Sequence, residues 1–480
     1  MRVAAEGANR VDGMSGIVSY GAYLPYWRLQ RTAITQALGS GGGKGTRSVS
    51  SYDEDTTSMG VEAGRLALAS GPDDFDPGLV AFATTLPAYA DKTNATAIHA
   101  ALGLSPTVPA FDAVGAIRSG IGATWMAQAA GGLAVLADVR TGRPGSSDES
   151  GGGDAAVALA FGSDGVIADV GGAASVSAEF TDRWRVPGEP YSQQWEERFG
   201  EHAYLPLVEQ AVTEALKSSG SAIDDLDHVI VAGAHTRAVK AAGRAIGARP
   251  DVIADDLIDQ VGNTGTAHWA LVLADVLDRA EPGQRIGVIV LADGCDVWLL
   301  RTTDALATYR PRSTVRERIA ATRDDLPYAR FLTWRGFLPR EPPRRPEPDP
   351  PAAPPSLRTD DWKYGFIGSR DETGFVHLPP ARVSMGTGAV DHMEPVRMAD
   401  VPATIATFTV DRLAYSLSPP VVAAVIDFDG GGRFQCELTD VDPATVAIGD
   451  RVEMTFRRLY TARGVHNYFW KARPIEMQEG

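Results

Sequence analysis

A histidine and an asparagine set in glycine-bounded turns of this 480-residue chain carry side chains capable of chemistry, although a lone histidine after a strand is more often a structural hydrogen-bonding residue than a catalyst. Gly233-Ala234-His235 ends a predicted strand, and Gly262-Asn263-Thr264-Gly265 precedes a predicted helix. An imidazole N–H and an amide N–H are donors for an oxygen that gains negative charge during a reaction. Beyond His235, the cations Arg237, Lys240 and Arg244 are spaced i, i+3 and i+7, so a helix puts all three on one face. In a chain of net charge −16 that face is either a landing place for phosphates or simply solvated. Cys295 and Cys436 are the only two cysteines and lie far apart, which leaves no disulfide framework and no Cys-rich metal site. That usage suits a reducing cytoplasm.

The elements that must position these groups alternate between β and α. Apolar strand-like runs at 79–84, 133–138, 228–233 and 285–293 are separated by helix-like segments, the pattern of α/β layers. Tyr204, Leu207, Val208, Ala211, Val212, Ala215 and Leu216 share one helical face, as do Ala267, Ala270, Leu271, Ala274 and Leu277. A strand, a helix-rich stretch and a glycine-turned hairpin occur twice, ending in GGGDAAVALAFGSDG and in LADGCDVWLLRTTD, which points to a duplicated core. From Phe337 the proline-dense FLPREPPRRPEPDPPAAPPS favours extended backbone over packed structure and marks a boundary. Beyond it, ATFTVDRLAYSL, VVAAVIDFDGGGRFQCELTD and GDRVEMTFRRLY are short β-rich runs with glycine turns, as a small antiparallel barrel requires.

With 61 acidic against 45 basic residues, general attraction to nucleic acid or an anionic membrane is not expected. No run of about 18 apolar residues is present to span a bilayer, and the first fifteen residues lack a signal-peptide apolar core. In the barrel, Tyr460, Tyr468, Phe469 and Trp470 beside Arg457 and Arg458 could stack single-stranded nucleic acid, but packing the barrel is the favoured reading.

Six segments taken in order, TLPAYADKTNATAIHAALGL, FDAVGAIRSGIGA, LADVRTGRPGSSDESGGGDAAVALAFG, TDRWRVPGEPY, GAHTRAVKAAGRAIG and VGNTGTAHWALVLADVLDRAEPGQRI, resemble the hydroxymethylglutaryl-CoA synthase branch of the thiolase superfamily. GSRDETGFVHLPPARVSMGTG, LTDVDPATVAIGDRVEMTFRRL and NYFWKARP resemble the zinc-ribbon and OB-fold module that accompanies thiolases. The implied fold class is α/β, a duplicated thiolase-like α/β/α/β/α layered core followed by a small all-β OB-fold barrel. The expected divisions are an extension over 1–15, a thiolase-like domain over 16–336, a Pro-rich linker over 337–358, a degenerate ribbon over 359–388 and the OB-fold over 389–480.

In such synthases a cysteine takes the acyl group, a glutamate moves the proton, and a histidine with an asparagine polarises a thioester. The string matching the family's nucleophile motif is Ala116-Ile117-Arg118-Ser119-Gly120, so Ile117 stands at the lost nucleophile position. Thr84 and Thr85 precede Tyr89-Ala-Asp-Lys92 where the glutamate is expected. The resemblance assigns His235 and Asn263 as catalytic residues, Arg237, Lys240 and Arg244 to the phosphates of CoA, and Tyr89, His268 or His235 as proton carriers. Arg370, Thr373, Ser384 and Thr387 fall at the four zinc-ligand positions, so no zinc is expected. CoA thioester is the expected substrate, with no covalently bound cofactor. The leading expectation is aldol or retro-aldol chemistry beside a CoA thioester without a cysteine nucleophile. Its alternative is an inactive synthase-like subunit that scaffolds or channels acyl-CoA for a separate thiolase. A homodimer or a complex with a thiolase, in the cytoplasm and without nucleic acid or membrane, completes the expectation.

Overall fold

A computed structural model describes residues 15–475. The expected extension over 1–15 lies, apart from Ser15, outside the described residues, as do the last five of the OB-fold division. The first half contributes β1 (Gly16–Tyr23), α1 (Thr56–Ser70), β2 (Val80–Thr84), α2 (Ala95–Leu102), β3 (Ala110–Val114), α3 (Ser119–Ala130), β4 (Leu133–Val139) and β5 (Asp154–Gly162). The second half contributes β6 (Ala168–Ser177), α4 (Glu197–Ser219), β7 (His228–Gly233), α5 (Thr236–Ala245), α6 (His268–Leu277), β8 (Arg285–Leu291) and β9 (Gly294–Thr302).

The strand order β7-β8-β9-β6-β1-β5-β4-β2-β3 carries the duplication. β5 runs antiparallel to β1 and β4, and β4 runs parallel to β2. In the second half β9 runs antiparallel to β6 and β8, and β8 runs parallel to β7. β3 has no full counterpart there; the single parallel bridge Val229–Ile253 marks its place. One antiparallel pair, Ile17–Ala168, joins the halves.

Alternation along the strands sorts side chains into layers. Ala81, Ala83, Ala134 and Leu136 share one apolar cluster with Val288 and Val290 of the other half and with α3 and α6. Val80, Phe82, Leu133 and Val135 face α1 and α2, and Ile289 and Leu291 face α4 and α5. α3 and α6 thus form the middle layer. α6 (HWALVLADVL) is buried at every position, as its almost unbroken apolar sequence requires.

After the proline-rich stretch come β10 (Ile367–Asp371), β11 (Val376–His377) and β12 (Met393–Arg397), a small ribbon. β12 pairs with β10 along its whole length, so the ribbon runs to Arg397 rather than ending at 388. β13 (Ala403–Asp411), β14 (Val421–Phe428), β15 (Arg433–Leu438), β16 (Arg451–Ala462) and β17 (Val465–Pro474) close a five-stranded barrel in the order β13-β14-β15-β17-β16. Its apolar interior is continuous with the cluster around α1 and α2. Polar contacts fix the docking. Arg457, fully buried, pairs with Glu54 at 2.6 Å and with Asp440, while Lys471 meets Asp53 at 2.8 Å. Tyr468, Trp470 and Arg457 are therefore packed inside and unavailable for stacking on a nucleic acid strand. Among the described residues, no helix is long and apolar enough to cross a membrane.

Candidate functional site

The carboxyl ends of β2, β4 and β7 and the start of α3 converge on one region, the end of parallel strands where α/β proteins place ligands. Two adjoining cavities open there. The larger, about 340 Å³, is lined by His235, Lys240, Asn263, Asp182, Arg140 and Arg183 among others. The smaller, about 90 Å³, is lined by Ile117, Thr85 and Tyr204, and shares Asp182, Arg140 and Arg183 with its neighbour.

His235 caps α5: its Nδ1 accepts the N–H of Ala238 at 3.1 Å. A ring nitrogen that accepts must be unprotonated, so the neutral imidazole carries its proton on Nε2. Nε2 is buried and has no hydrogen-bond partner among the described residues. The ring lies beside Tyr204, 5.8 Å between centroids. Asn263 is fastened to the same strand end, its Nδ2 donating to the Gly233 carbonyl at 2.8 Å while Oδ1 accepts the N–H of Gly265 at 2.9 Å. One amide hydrogen of Asn263 remains for a ligand. The Asn263 backbone also pairs with the triple-glycine turn, through Gly151 O at 2.8 Å and Gly153 N at 2.9 Å. The structure brings His235, Asn263 and Lys240 to one cavity.

At the other end, Ile117 lies in the turn entering α3, buried at 9% exposure. Its side chain offers no nucleophile. Arg118 reaches across to the second half, with Nε 2.8 Å from Asp296 Oδ2 and Nη2 3.0 Å from Ser175 Oγ. Thr84 and Thr85 both donate to Asp138 Oδ1, at 3.1 and 2.8 Å, and Thr266 N–H donates to Oδ2 at 2.7 Å. Gly265, with φ +60°, passes so close that a Cβ there would lie 2.1 Å from Asp138 Oδ2, which explains the glycine after Asn263-Thr264. Asp138 is wholly buried and saturated with donors, so it holds Thr85 in place.

Other residues singled out by sequence lie elsewhere. Tyr89 packs on the barrel hairpin, where its hydroxyl accepts the N–H of His466 at 2.7 Å. His268 starts the buried helix α6, and burial lowers its pKa to about 4, so it stays neutral away from the cavities. Arg237 and Arg244 are exposed on α5 and do not line the larger cavity. Cys295 is fully buried within β9; burial, then the charge of Asp296, pushes its thiol up to about 12, leaving no thiolate at neutral pH. In the ribbon, Thr373 and Ser384 both donate to Asp371, and His377 Nε2 accepts the N–H of Met385 at 3.0 Å. Among the described residues, no group of three or more metal-ligating side chains occurs.

Sequence reading missed Asp182 and three arginines. Asp182 lines both cavities, and its Oδ1 and His235 Nε2 flank the same face of Gly200. Arg140, Arg183 and Arg185 line the smaller cavity. Asp182, Arg183 and Arg185 sit in a stretch without periodicity, held by the two-residue strands Arg183–Trp184 and Gln193–Gln194 and by Trp195 N–H on Asp182 O at 2.8 Å. The one sequence signal for it is the family-like string TDRWRVPGEPY.

The chain is 30% identical over 348 residues to a hydroxymethylglutaryl-CoA synthase of Pyrobaculum neutrophilum, covering 68% of this chain and 98% of that one. It is 29% identical over 345 residues to the synthase of Picrophilus torridus, with 68% and 98% covered. Residues 395–457 match the family model described as ChsH2, C-terminal OB-fold domain. Among solved structures, an HMG-CoA synthase complexed with CoA superposes with a TM-score of 0.59 at 15% identity, over 68% of this chain and 91% of that one. The 3-oxoacyl-(acyl carrier protein) synthase III of Pseudomonas aeruginosa PAO1 does so with a TM-score of 0.53 at 20% identity, over 60% of this chain and 98% of that one.

Proposed function

The chain belongs to the hydroxymethylglutaryl-CoA synthase family of the thiolase superfamily, fused to an OB-fold module, and we propose that it makes or breaks a carbon–carbon bond beside a CoA thioester by aldol or retro-aldol chemistry. The observation that carries this reading is the His235–Asn263 pair on one cavity wall: an imidazole with its proton fixed on Nε2, and an amide with one hydrogen to spare. Both can donate to a thioester oxygen that becomes an enolate.

In the cleavage direction, a base removes the proton of the β-hydroxyl and the Cα–Cβ bond breaks. Its electron pair passes into the thioester carbonyl, whose oxygen the two donors hold, while the β-carbon leaves as a carbonyl compound. Protonation at Cα completes the cycle. We assign the proton transfers to Asp182, the carboxylate that lines both cavities. Ile117 takes no part in bond making, and no acyl-enzyme forms. Lys240 on the rim, with Arg237 before it and Arg244 after it along α5, suits the phosphates of CoA.

Ile117 supports a second reading, an inactive subunit that holds acyl-CoA for a separate thiolase. The open edge strand β3, with Phe111 and Val114 exposed and with Trp125 and Met126 exposed on α3, offers a face for a second copy or that thiolase. The two buried free cysteines fit a cytoplasmic setting. Purified protein incubated with a panel of β-hydroxyacyl-CoA thioesters separates the readings. Cleavage abolished by His235→Ala supports the first. No turnover of any member, together with co-purification of a thiolase, supports the second.

A further inference from the structure

Asn263 is placed by a neighbouring backbone. Its N–H donates to Gly151 O and its carbonyl accepts the N–H of Gly153. A Cβ on Gly153 would lie 1.9 Å from Val261 O, and one on Gly262 would lie 2.2 Å from Gly152 O. Backbone therefore meets backbone between the triple-glycine turn and the Asn263 turn, and a shift of the first displaces the second.

The triple-glycine turn is pinned on both sides by one short helix outside the duplicated core. That helix, Tyr328–Trp334, leads from the core to the proline-rich stretch. On one side of the turn Tyr328 Oη donates to Glu149 Oε1 at 2.9 Å, while Glu149 Oε2 accepts the N–H of Gly145 at 2.6 Å. On the other, Arg335 pairs through Nη2 with Asp154 Oδ2, and its Nη1 donates to the Ser50 carbonyl at 3.3 Å. Asp154 is fully buried and also accepts the N–H groups of Ser50 at 2.7 Å and Arg140 at 2.9 Å. Both approaches to Asp154 lead from the barrel. Trp334 Nε1 donates to the barrel carbonyl of Leu417 at 3.1 Å, and Ser50 runs on into Asp53 and Glu54, which Lys471 and Arg457 of the barrel hold.

Neither Tyr328 nor Arg335 lines either cavity, so neither can touch a substrate there. A buried carboxylate deprived of its guanidinium is strongly destabilised and draws in whatever donor it can reach. We propose that Arg335 and Tyr328 are positioning residues for Asn263, and that through them and Trp334 the docked barrel holds the amide donor in place. The consequence for catalysis rests on the reading of Asn263 as an enolate donor.

Two measurements on the full chain test this: amide hydrogen exchange in fragments covering 149–154 and 261–265, and α-hydrogen exchange of acetyl-CoA in D2O. Arg335→Met and Tyr328→Phe should each speed exchange of the Gly153 and Asn263 amides by about tenfold and slow the α-hydrogen exchange by a similar factor, with Arg335→Lys largely restoring both. Trp334→Phe, which removes the bond to the barrel and keeps a ring, should act in the same direction. In an Asn263→Ala background Arg335→Met should slow the α-hydrogen exchange no further, because its effect passes through Asn263. Thermal melts report folding, and Tyr328→Phe, which loses a single hydroxyl, keeps the test open where Arg335→Met does not fold. Amide exchange unchanged in the folded variants, or an equal slowing by Arg335→Met with and without Asn263, overturns the inference. Faster amide exchange in the variants, together with no α-hydrogen exchange even in the native protein, upholds the brace and overturns the enolate reading instead.

Discussion

A Cβ on Gly200 would lie 2.4 Å from Nε2 of His235, so this glycine of α4 packs directly against the donor nitrogen of the imidazole. Glycine to alanine inside a helix ordinarily stabilises by roughly 0.5–1 kcal/mol. Gly200→Ala is expected to do the reverse for function: the methyl group forces the ring to turn, and turnover falls at least tenfold while the protein stays folded. Steady-state kinetics beside a thermal melt check it. Unchanged kcat would show that Nε2 is not the working donor.

The contact between barrel and body is weakened by acid. Burial alone would raise the Asp53 carboxyl, but Lys471 and Arg457 outweigh it and bring its pKa to about 2; Glu453 is brought to about 2 by Arg473 and Arg312 against the same burial. Both are depressed below their unfolded values. Their stabilisation, about 2–3 kcal/mol each, is thus fully present above roughly pH 4.5 and is lost as pH falls toward 2. Urea melts between pH 6 and 2 should show that acid limb, and Asp53→Asn should flatten part of it.

The ribbon holds itself without thiolates. Asp371 accepts from Thr373 Oγ1 at 2.6 Å, from the N–H groups of Thr373 and Phe375 at 2.9 Å each, and from Ser384 Oγ. Ser384 Oγ accepts in turn from the N–H groups of Gly386 and Thr387, 3.0 Å each. A chelator is therefore expected to leave the melting temperature unchanged, whereas Asp371→Ala lowers it by several degrees. A fall in the melting temperature with chelator would reveal a structural metal.

The layered core was legible because alternation and turn glycines report it locally. His235 and Asn263 stood out for the same reason, each set in a turn whose glycines adopt positive φ that other residues rarely take. Tyr89 was misplaced because nothing in its own segment says that the barrel hairpin around His466 packs on it. His268 lies five residues after Asn263, yet the apolar sequence that follows sends its side chain into the buried middle layer. Arg140, Asp182 and Arg183 were illegible because cavities are made by distant segments, and Asp182 and Arg183 sit in a loop tied down by long-range bonds. The ribbon's third strand was passed over because Met-Glu-Pro-Val-Arg lacks the continuous β-rich signal of the barrel strands.

In the proposed reaction His235 and Asn263 together stabilise an enolate. Mass spectrometry of α-hydrogen exchange in an acyl-CoA incubated with the protein in D2O measures that ability without requiring the true substrate to be known. Deuterium should enter Cα at a rate proportional to protein concentration, and His235→Ala and Asn263→Ala should each slow it by on the order of 100-fold, the loss typical of one oxyanion donor. Exchange no faster than in buffer, or exchange equally fast in both variants, would contradict it.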